Sequence, residues 1–547
     1  MASPALVYPR VPAVGAIHRA TPSLLTFLVA FLLLLAVAVL IRRDIPYTGD
    51  EPHYLLISHS VFADRDVDLR NNYLERDYAR FYVGDLLPQV ASLRSDPVWL
   101  PWHLPGLSLL VLPGYALDPT RGPALIALVS FAWLAVELRL MLRELGASPR
   151  AATMATALVL LAPPLVLYAG RIMPEVPAAV LVVAAFRRIW LGRGLAVAAL
   201  AVAALPWLGP KFLVLSLTLV AVAALARPRW ILPLGLATIV SGAGIAGYLW
   251  SVYGSPSPNV LYRGTGLQIG MLPVGALGQL LDAESGLLLR GPLFVVLILL
   301  LLPLARQRRQ LALAVALVVA AAWTTGSVHG AWWGGFFFAP RYLVPVLPLL
   351  AVPLGLMRRD RGWAGATALA AAASVVVLGL ALIQPVSALS FGLGDSAPLQ
   401  VLRRATGIPL SEVWPSFPRP AVEWHDVDLR SSSVRATAGR LTADGARFAN
   451  AGEAGTVAAL PPKLLAGGRW AVSATWRAPS GSQPGRLVVD AIGLGRLVAV
   501  PLAGAGESTF NEIELMLGAP TLVVIAVESD GSAPLAVQLL SWRALSE

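Results

Sequence analysis

From Thr21 to Ile41 the chain runs for 21 residues without a charge, TPSLLTFLVAFLLLLAVAVLI. A bilayer core of about 30 Å takes roughly 20 such residues in a helix. No small-residue cleavage site follows the run, only Arg42, Arg43 and Asp44, so it reads as a retained anchor and not as a removed signal peptide. Ten more apolar runs follow, near 122–142, 151–168, 176–192, 194–208, 212–226, 230–252, 291–305, 310–326, 342–357 and 363–384. The expectation is a polytopic α-helical membrane protein with about eleven spans. Composition agrees: 57% of the 547 residues are hydrophobic and 13% charged, where soluble domains carry about 25% charged residues. A soluble enzyme and a disordered chain are excluded.

The net charge of +11 invites a nucleic-acid reading. Its distribution gives another. With the N-terminus in the cytoplasm and every run crossing, the inner ends hold 16 basic residues against three acids, Glu137, Glu144 and Asp360. Short inner loops rich in Arg are what the positive-inside rule predicts. Residues 1–384 sum to +12 and residues 385–547 to −1. The charge is therefore a topology signal, no nucleic-acid partner is expected, and an odd number of spans places the C-terminus outside the cell. There are no cysteines, which removes disulfides and thiolate chemistry. With 40 Arg to two Lys, the composition suits a GC-rich, bacterial genome.

After Gln384 the pattern changes. Residues 385–416 read as a linker. Residues 417–547 carry short alternating runs such as RWAVSATWRA (469–478), RLVVDAIG (486–493) and TLVVIAVES (521–529). Short strands at near-regular spacing predict a small all-β, sandwich-like domain outside the cell. Trp424, Trp470, Trp476 and Trp542 are either sugar-stacking residues or part of its core.

The first outer loop, 42–121, is long for a helix bundle and holds 11 acids. Pro52, with Asp50 and Glu51 before it, fits a helix start. Tyr54, Leu55, Ile57, Val61 and Phe62 suit a helix lying on the membrane face. The stretch WLPWHLPGLSLLVLPGYAL (99–117) suits a second interfacial helix.

An Asp-Glu pair (GDEPHY) just outside the first span, followed by a long loop ending in a Pro-containing apolar helix, resembles the GT-C glycosyltransferases. The protein O-mannosyltransferases and the lipid A aminoarabinose transferases are the best-known members of that superfamily, and the resemblance is of their kind. GRIMPEVPAA (170–179), LPWLGPKFL (205–213), ESGLLLRGPL (284–293) and WWGGFFFAPRYLVPVLPLL (332–350) look like loops of the same kind. The resemblance covers about 1–384, as a catalytic transmembrane domain, and stops short of the C-terminal domain. It implies transfer of a sugar from a polyprenyl-phosphate donor to a cell-envelope acceptor, with inversion, at the outer face of a bacterial plasma membrane. It also implies that Asp50 is the base and that Glu51 positions the acceptor or tunes Asp50. Adjacent carboxylates repel, so one pKa is expected to rise.

The departing phosphate needs cations. Lys211, Arg341, Arg171 and Arg263 are the candidates, with Arg290 behind them. Lys211 is the only Lys in the membrane part. Candidate pocket residues are His53, Tyr54, His103, Glu175, His329, Trp332, Trp333 and Tyr342. The paired glycines before Arg341 suit close backbone approach. A divalent metal ion on Asp50 or Glu51 with a His is chemically admissible, although no tight ligand spacing marks it. No phosphate-binding Gly-rich loop or dinucleotide fingerprint occurs. Two other classes remain as alternatives. A polysaccharide ligase or polymerase would keep its key residues in a late loop, and a transporter or flippase would bury ionisable groups mid-span.

Overall fold

A computed structural model describes residues 16–82, 86, 88–91, 98–262, 267–335, 337–356, 361–389, 396–407 and 414–417, together with strands between 440 and 544. The helices used below are α1 (Ala16–Asp44), α2 (Glu51–His59), α3 (Gly106–Leu117), α4 (Gly122–Glu144), α5 (Glu175–Leu191), α6 (Leu195–Ala204), α7 (Leu213–Ala226), α8 (Ile231–Tyr253), α9 (Arg309–Ser327) and α10 (Arg361–Ile383). Among the described residues five stretches are long and apolar enough to cross a bilayer: Pro22–Arg43, Gly122–Glu144, Pro228–Tyr253, Arg309–Ser327 and Arg361–Ile383. Shorter apolar helices stand among them, and the chain is a multi-pass membrane protein.

Several of the expected continuous spans are broken, and proline explains where. Ser148 caps the helix Pro149–Leu160 by accepting from the Ala151 N–H, and Pro163–Pro164 ends its run. The run 291–305 divides into Pro292–Leu299 and Leu301–Gln307. Pro303 offers no N–H to the Leu299 carbonyl and its ring crowds it. Pro345, Pro348 and Pro353 likewise turn 342–357 into 3₁₀ turns and one short helix.

Burial orders the bundle. In α4, 61% of the spanning window is buried, against 17% in α1 and in α10. α4 therefore lies inside, packed on α1, α3 and α5, and the other two face lipid along most of their surface. α3 meets α4 through bare backbone. A Cβ on Gly114 would stand 2.4 Å from the Gly122 carbonyl oxygen, and one on Gly122 would stand 1.9 Å from that of Gly114. At the far end of α4, Glu137 pairs with Arg187 (2.9 Å) and Arg188 (2.8 Å) of α5, and Glu144 with Arg187 (2.6 Å) and Arg193. Arg187 and Arg188 sit 12 and 13 residues along α5 from Glu175, roughly 18 Å at 1.5 Å per residue.

The expected surface helix behind Asp50 is not on a surface. All nine residues of α2 are buried. Ser108 Oγ donates to the Tyr54 carbonyl (2.8 Å) and Ser58 Oγ to the Ser108 carbonyl (3.1 Å), which locks α2 against α3. Tyr54, Leu55 and Ile57, read as membrane-facing, are buried instead, whereas Phe62, past the end of α2, is exposed.

The C-terminal part is all-β, with ten strands among the described residues: β1 (Arg440–Leu441), β2 (Phe448–Ala449), β3 (Ala454–Ala459), β4 (Lys463–Leu465), β5 (Gly468–Ala478), β6 (Gly485–Ala491), β7 (Gly495–Pro501), β8 (Gly506–Leu517), β9 (Thr521–Asp530) and β10 (Ala536–Ala544). One antiparallel sheet runs β1-β2-β10-β5-β8, the other β3-β9-β6-β7 with β4 also on β9. Trp476 and Trp542 are buried in the shared core and Trp470 packs against it, so the core role wins for these three. Trp424 lies outside the described residues.

The Gly114–Gly122 contact yields a stability prediction. Gly122→Ile forces two backbones apart and should lower thermal stability in detergent by about 1–3 kcal/mol, the usual cost of overpacking. An unchanged melting temperature would show that the close approach is not needed.

Candidate active site

Arg171 and Glu51 make the frame. Arg171 Nη1 lies 3.1 Å from Glu51 Oε2, and both side chains are fully buried. Arg171 also donates to the carbonyls of Pro46 (2.9 Å) and Ile45 (3.0 Å). Glu51 accepts from the N–H groups of Ile172 (2.8 Å) and Thr48 (3.0 Å). Arg42, 4.0 Å from Glu51, donates to the Gly170 carbonyl. The end of α1, the start of α2 and the turn that leads into α5 are thereby joined at one point.

Asp50 turns the other way. It is the N-cap of α2, yet its side chain does not cap the helix. Instead Arg341 Nη1 stands 2.7 Å from Asp50 Oδ2. Arg341 Nε donates to Glu175 Oε1 (2.7 Å), and Lys211 Nζ donates to the same oxygen (2.8 Å). Tyr342 places its ring 4.9 Å from the ammonium. Two carboxylates thus face two cations. The expected repulsion between Asp50 and Glu51 is relieved because each has its own partner. Burial alone would raise the Asp50 pKa. Arg341 outweighs it, with help from His103 and His53, and the carboxyl titrates well below the usual range rather than above it.

The glycine pair prepares Arg341. Gly334 and Gly335 have φ of +95° and +71°, and a Cβ on Gly334 would stand 2.8 Å from the Arg341 Cβ. Only a residue without a side chain fits there.

The histidines line the site as neutral rings. His103 stacks on Tyr54 with centroids 4.4 Å apart, and its Nε2 meets Gln89 Oε1 at 3.1 Å. His53 Nδ1 meets the Tyr73 hydroxyl at 2.7 Å. His329 Nδ1 accepts from the Ala331 N–H (3.0 Å), and its ring lies 5.3 Å from that of Tyr342. Burial pushes His53 down to about 3 and His103 and His329 to about 4. His103 adds to the shift of His53, and the charges of Lys211 and Arg341 add to that of His329.

The structure brings together Asp50, Lys211, Arg341, Glu175, Tyr342, His103 and His53, with His329 beside Tyr342. Tyr54 joins them through His103. It sets apart Glu51 and Arg171, which are occupied with each other and with backbone. Arg290 is buried on the carbonyls of Glu284 (2.6 Å) and Ala388 (2.7 Å). Trp332 is fully buried, edge-on to Trp333 (5.9 Å) and Phe417 (6.5 Å), and offers no open face. Arg263 lies outside the described residues. Gln89 and Tyr73, which orient two of the histidines, escape a reading of the sequence because nothing local marks them. Among the described residues no group of three or more His, Asp or Glu side chains is placed to hold a metal ion. The oxygens of Asp50 and Glu175 that have partners face Arg341 and Lys211.

An apolar cleft of about 450 Å³ is lined by Gly106 and Leu110 of α3, Val129 and Trp133 of α4, Val180 and Leu181 of α5, and by Trp207 and Leu208. Pro177, two residues from Glu175, also borders it, and Leu208 is three residues from Lys211. A second apolar cleft, between α6 and α8, shares Trp207.

No family model and no curated protein matches the chain. Solved structures do. ArnT from Cupriavidus metallidurans bound to undecaprenyl phosphate is 17% identical with a TM-score of 0.44, over 69% of this chain and 66% of that one. The oligosaccharyltransferase of Archaeoglobus fulgidus in its apo form is 13% identical with a TM-score of 0.39, over 73% and 60%. The same archaeal enzyme, AglB, in complex with an inhibitory peptide and a dolichol-phosphate, is 13% identical with a TM-score of 0.38. Both are GT-C superfamily enzymes. The chain thus spans slightly less than two thirds of the length of these proteins.

Two predictions follow from the geometry. Glu51→Ala leaves Arg171 charged and buried and should lower stability by about 3–5 kcal/mol, whereas Asp50→Asn, at a half-buried position, should assemble normally. Equal melting temperatures for the two would refute the division between frame and site. The second concerns pH. The three histidines take up protons less readily folded than unfolded, where the ring titrates near 6.5. Folding stability should be flat above pH 6.5 and fall as the pH drops from 6.5 toward 4. Melting temperatures across that range check it, and His103→Gln should lessen the slope.

Proposed function

We propose that the chain is a membrane glycosyltransferase that moves a sugar from a polyprenyl-phosphate donor to a hydroxyl of a cell-envelope acceptor at the outer face of the membrane. The observation that carries the reading is the gathering of Lys211 and Arg341 on Glu175 with a second carboxylate, Asp50, on the same Arg341, in a chain whose apolar cleft is bordered by Pro177 and Leu208, two and three residues along the chain from Glu175 and Lys211. A lipid phosphate needs both parts: cations for the headgroup and a hydrocarbon groove for the tail. A soluble anion would need only the first.

The chemistry follows from the charges. The acceptor oxygen attacks the anomeric carbon from the face opposite the phosphate. The bond from that carbon to the phosphate oxygen breaks, and its electron pair leaves with the phosphate. Lys211 and Arg341 stabilise the charge that grows there. The proton of the acceptor hydroxyl passes to Asp50. A carboxylate held on Arg341 is a weak base at rest. When the phosphate draws Arg341 toward itself, that hold loosens and Asp50 gains basicity. In an oxocarbenium-like transition state the acceptor proton becomes acidic as its oxygen bonds to carbon, which suits a carboxylate base. The neutral histidines add no charge to oppose the sugar cation.

Histidine spacing does not require a metal, and no step above uses one. The paired charges at the ends of the helices favour an enzyme over a transporter. The expected orientation, with the N-terminus in the cytoplasm, puts the site on the outer side, where lipid-linked sugars are the available donors.

Asp50→Asn should lower transfer from a lipid-phosphate sugar by about 10²–10⁴-fold, the usual contribution of a positioned base, while the protein still assembles in the membrane. Lys211→Met should weaken binding of undecaprenyl phosphate at least tenfold. Full transfer by purified Asp50→Asn would remove Asp50 from the mechanism. Uptake of labelled substrate into proteoliposomes without covalent transfer would replace the enzyme with a carrier.

A further inference from the structure

The two buried carboxylates of the site are satisfied differently. Glu51 has both oxygens filled, Oε1 by the Ile172 N–H and Oε2 by Thr48 and Arg171. Glu175 is equally buried, at 0% exposure. Its Oε1 takes both Lys211 and Arg341, while Oε2 is enclosed and has no hydrogen-bond partner. A buried carboxylate oxygen without a donor is costly, and native interiors seldom keep one without a reason. Here the two cations have been gathered on one oxygen, and the other is buried without a donor on the same carboxylate that holds both cations.

We propose that Glu175 Oε2 accepts a hydrogen bond from a hydroxyl of the sugar being transferred, so that Glu175 selects a neutral, hydroxyl-bearing sugar. This rests on the glycosyltransferase reading above and deepens it. A glycosyl phosphate carries its sugar hydroxyls next to the phosphate. With the phosphate on Lys211 and Arg341, the ring therefore lies within reach of the free oxygen of the carboxylate they share. A hydroxyl supplies the missing donor without adding charge. A third cation is disfavoured because Lys211 and Arg341 already crowd Oε1. A uronic acid is rejected, since its carboxylate would meet another carboxylate out of water. A site built to bond a hydroxyl also rejects the analogue that lacks it, because the buried acceptor is again left unpaired.

The test measures binding to the full chain in lipid nanodiscs without acceptor. The probes are undecaprenyl phosphate, its neutral hexosyl and pentosyl esters, monodeoxy versions of the best of these, and a hexuronosyl ester. The wild type should bind one neutral ester about tenfold more tightly than the bare phosphate, or about 1.4 kcal/mol. One monodeoxy analogue and the uronosyl ester should lose that gain. Glu175→Gln should bind the bare phosphate more tightly, because a negative charge has gone, yet gain little from the sugar. The proposal is overturned if no neutral ester binds better than the bare phosphate, if every deoxy analogue keeps the gain, or if Glu175→Gln keeps it. Should Glu175→Gln fail to assemble, the wild-type series decides alone. If the wild type binds no undecaprenyl phosphate, the functional reading itself falls, a result distinct from loss of the sugar increment alone.

Discussion

The buried pair of Glu51 and Arg171 fixes the distance between the two halves of the site. Asp50 precedes Glu51 by one residue, and Glu175 follows Arg171 by four. An ion pair in which both members are fully buried, with four further hydrogen bonds to backbone carbonyl and N–H groups, leaves little freedom for either segment. Such a pair adds little net stability against an apolar replacement, because its desolvation nearly offsets its attraction. Its value is registration. It holds one carboxylate from the first loop and one from the start of α5 so that a single guanidinium, Arg341, reaches both.

That sharing gives Asp50 its character. A carboxylate clamped by an arginine is a poor base, and a carboxylate freed from one in a site of low polarity is a good one. In the proposed mechanism the same cation serves first the base and then the leaving group. Binding of the donor and activation of the acceptor would in that mechanism be one electrostatic event, and α2, buried and locked to α3 through Ser58 and Ser108, need not move for it to occur.

The membrane class, the all-β tail and the acid pair after the first span were legible because each rests on a local pattern: run length, alternation, and position beside a span. The approximate limits of the five long apolar helices were legible for the same reason. Helix breaks were less so, since apolar runs hide where Pro163, Pro164 or Pro303 interrupts the backbone. The burial of α2 was missed because its apolar residues suit a lipid face and a protein interior equally well. The division of labour between Asp50 and Glu51 is not local at all. It depends on Arg171 and Arg341, 120 and 291 residues away in the chain from their acidic partners. Gln89 and Tyr73 act only through the histidines they touch, which no spacing reveals.

Lys211 and Arg341 are balanced by Asp50 and Glu175, and the three nearby histidines are uncharged near neutrality. At rest this cluster presents almost no field to a distant anion, and long-range attraction contributes little to capture. Under the proposed function, an anionic lipid donor has to wander in sideways along the leaflet until it touches. Traffic into the site is then governed by how crowded that leaflet is with donor, and ionic strength in the surrounding fluid has little say in it.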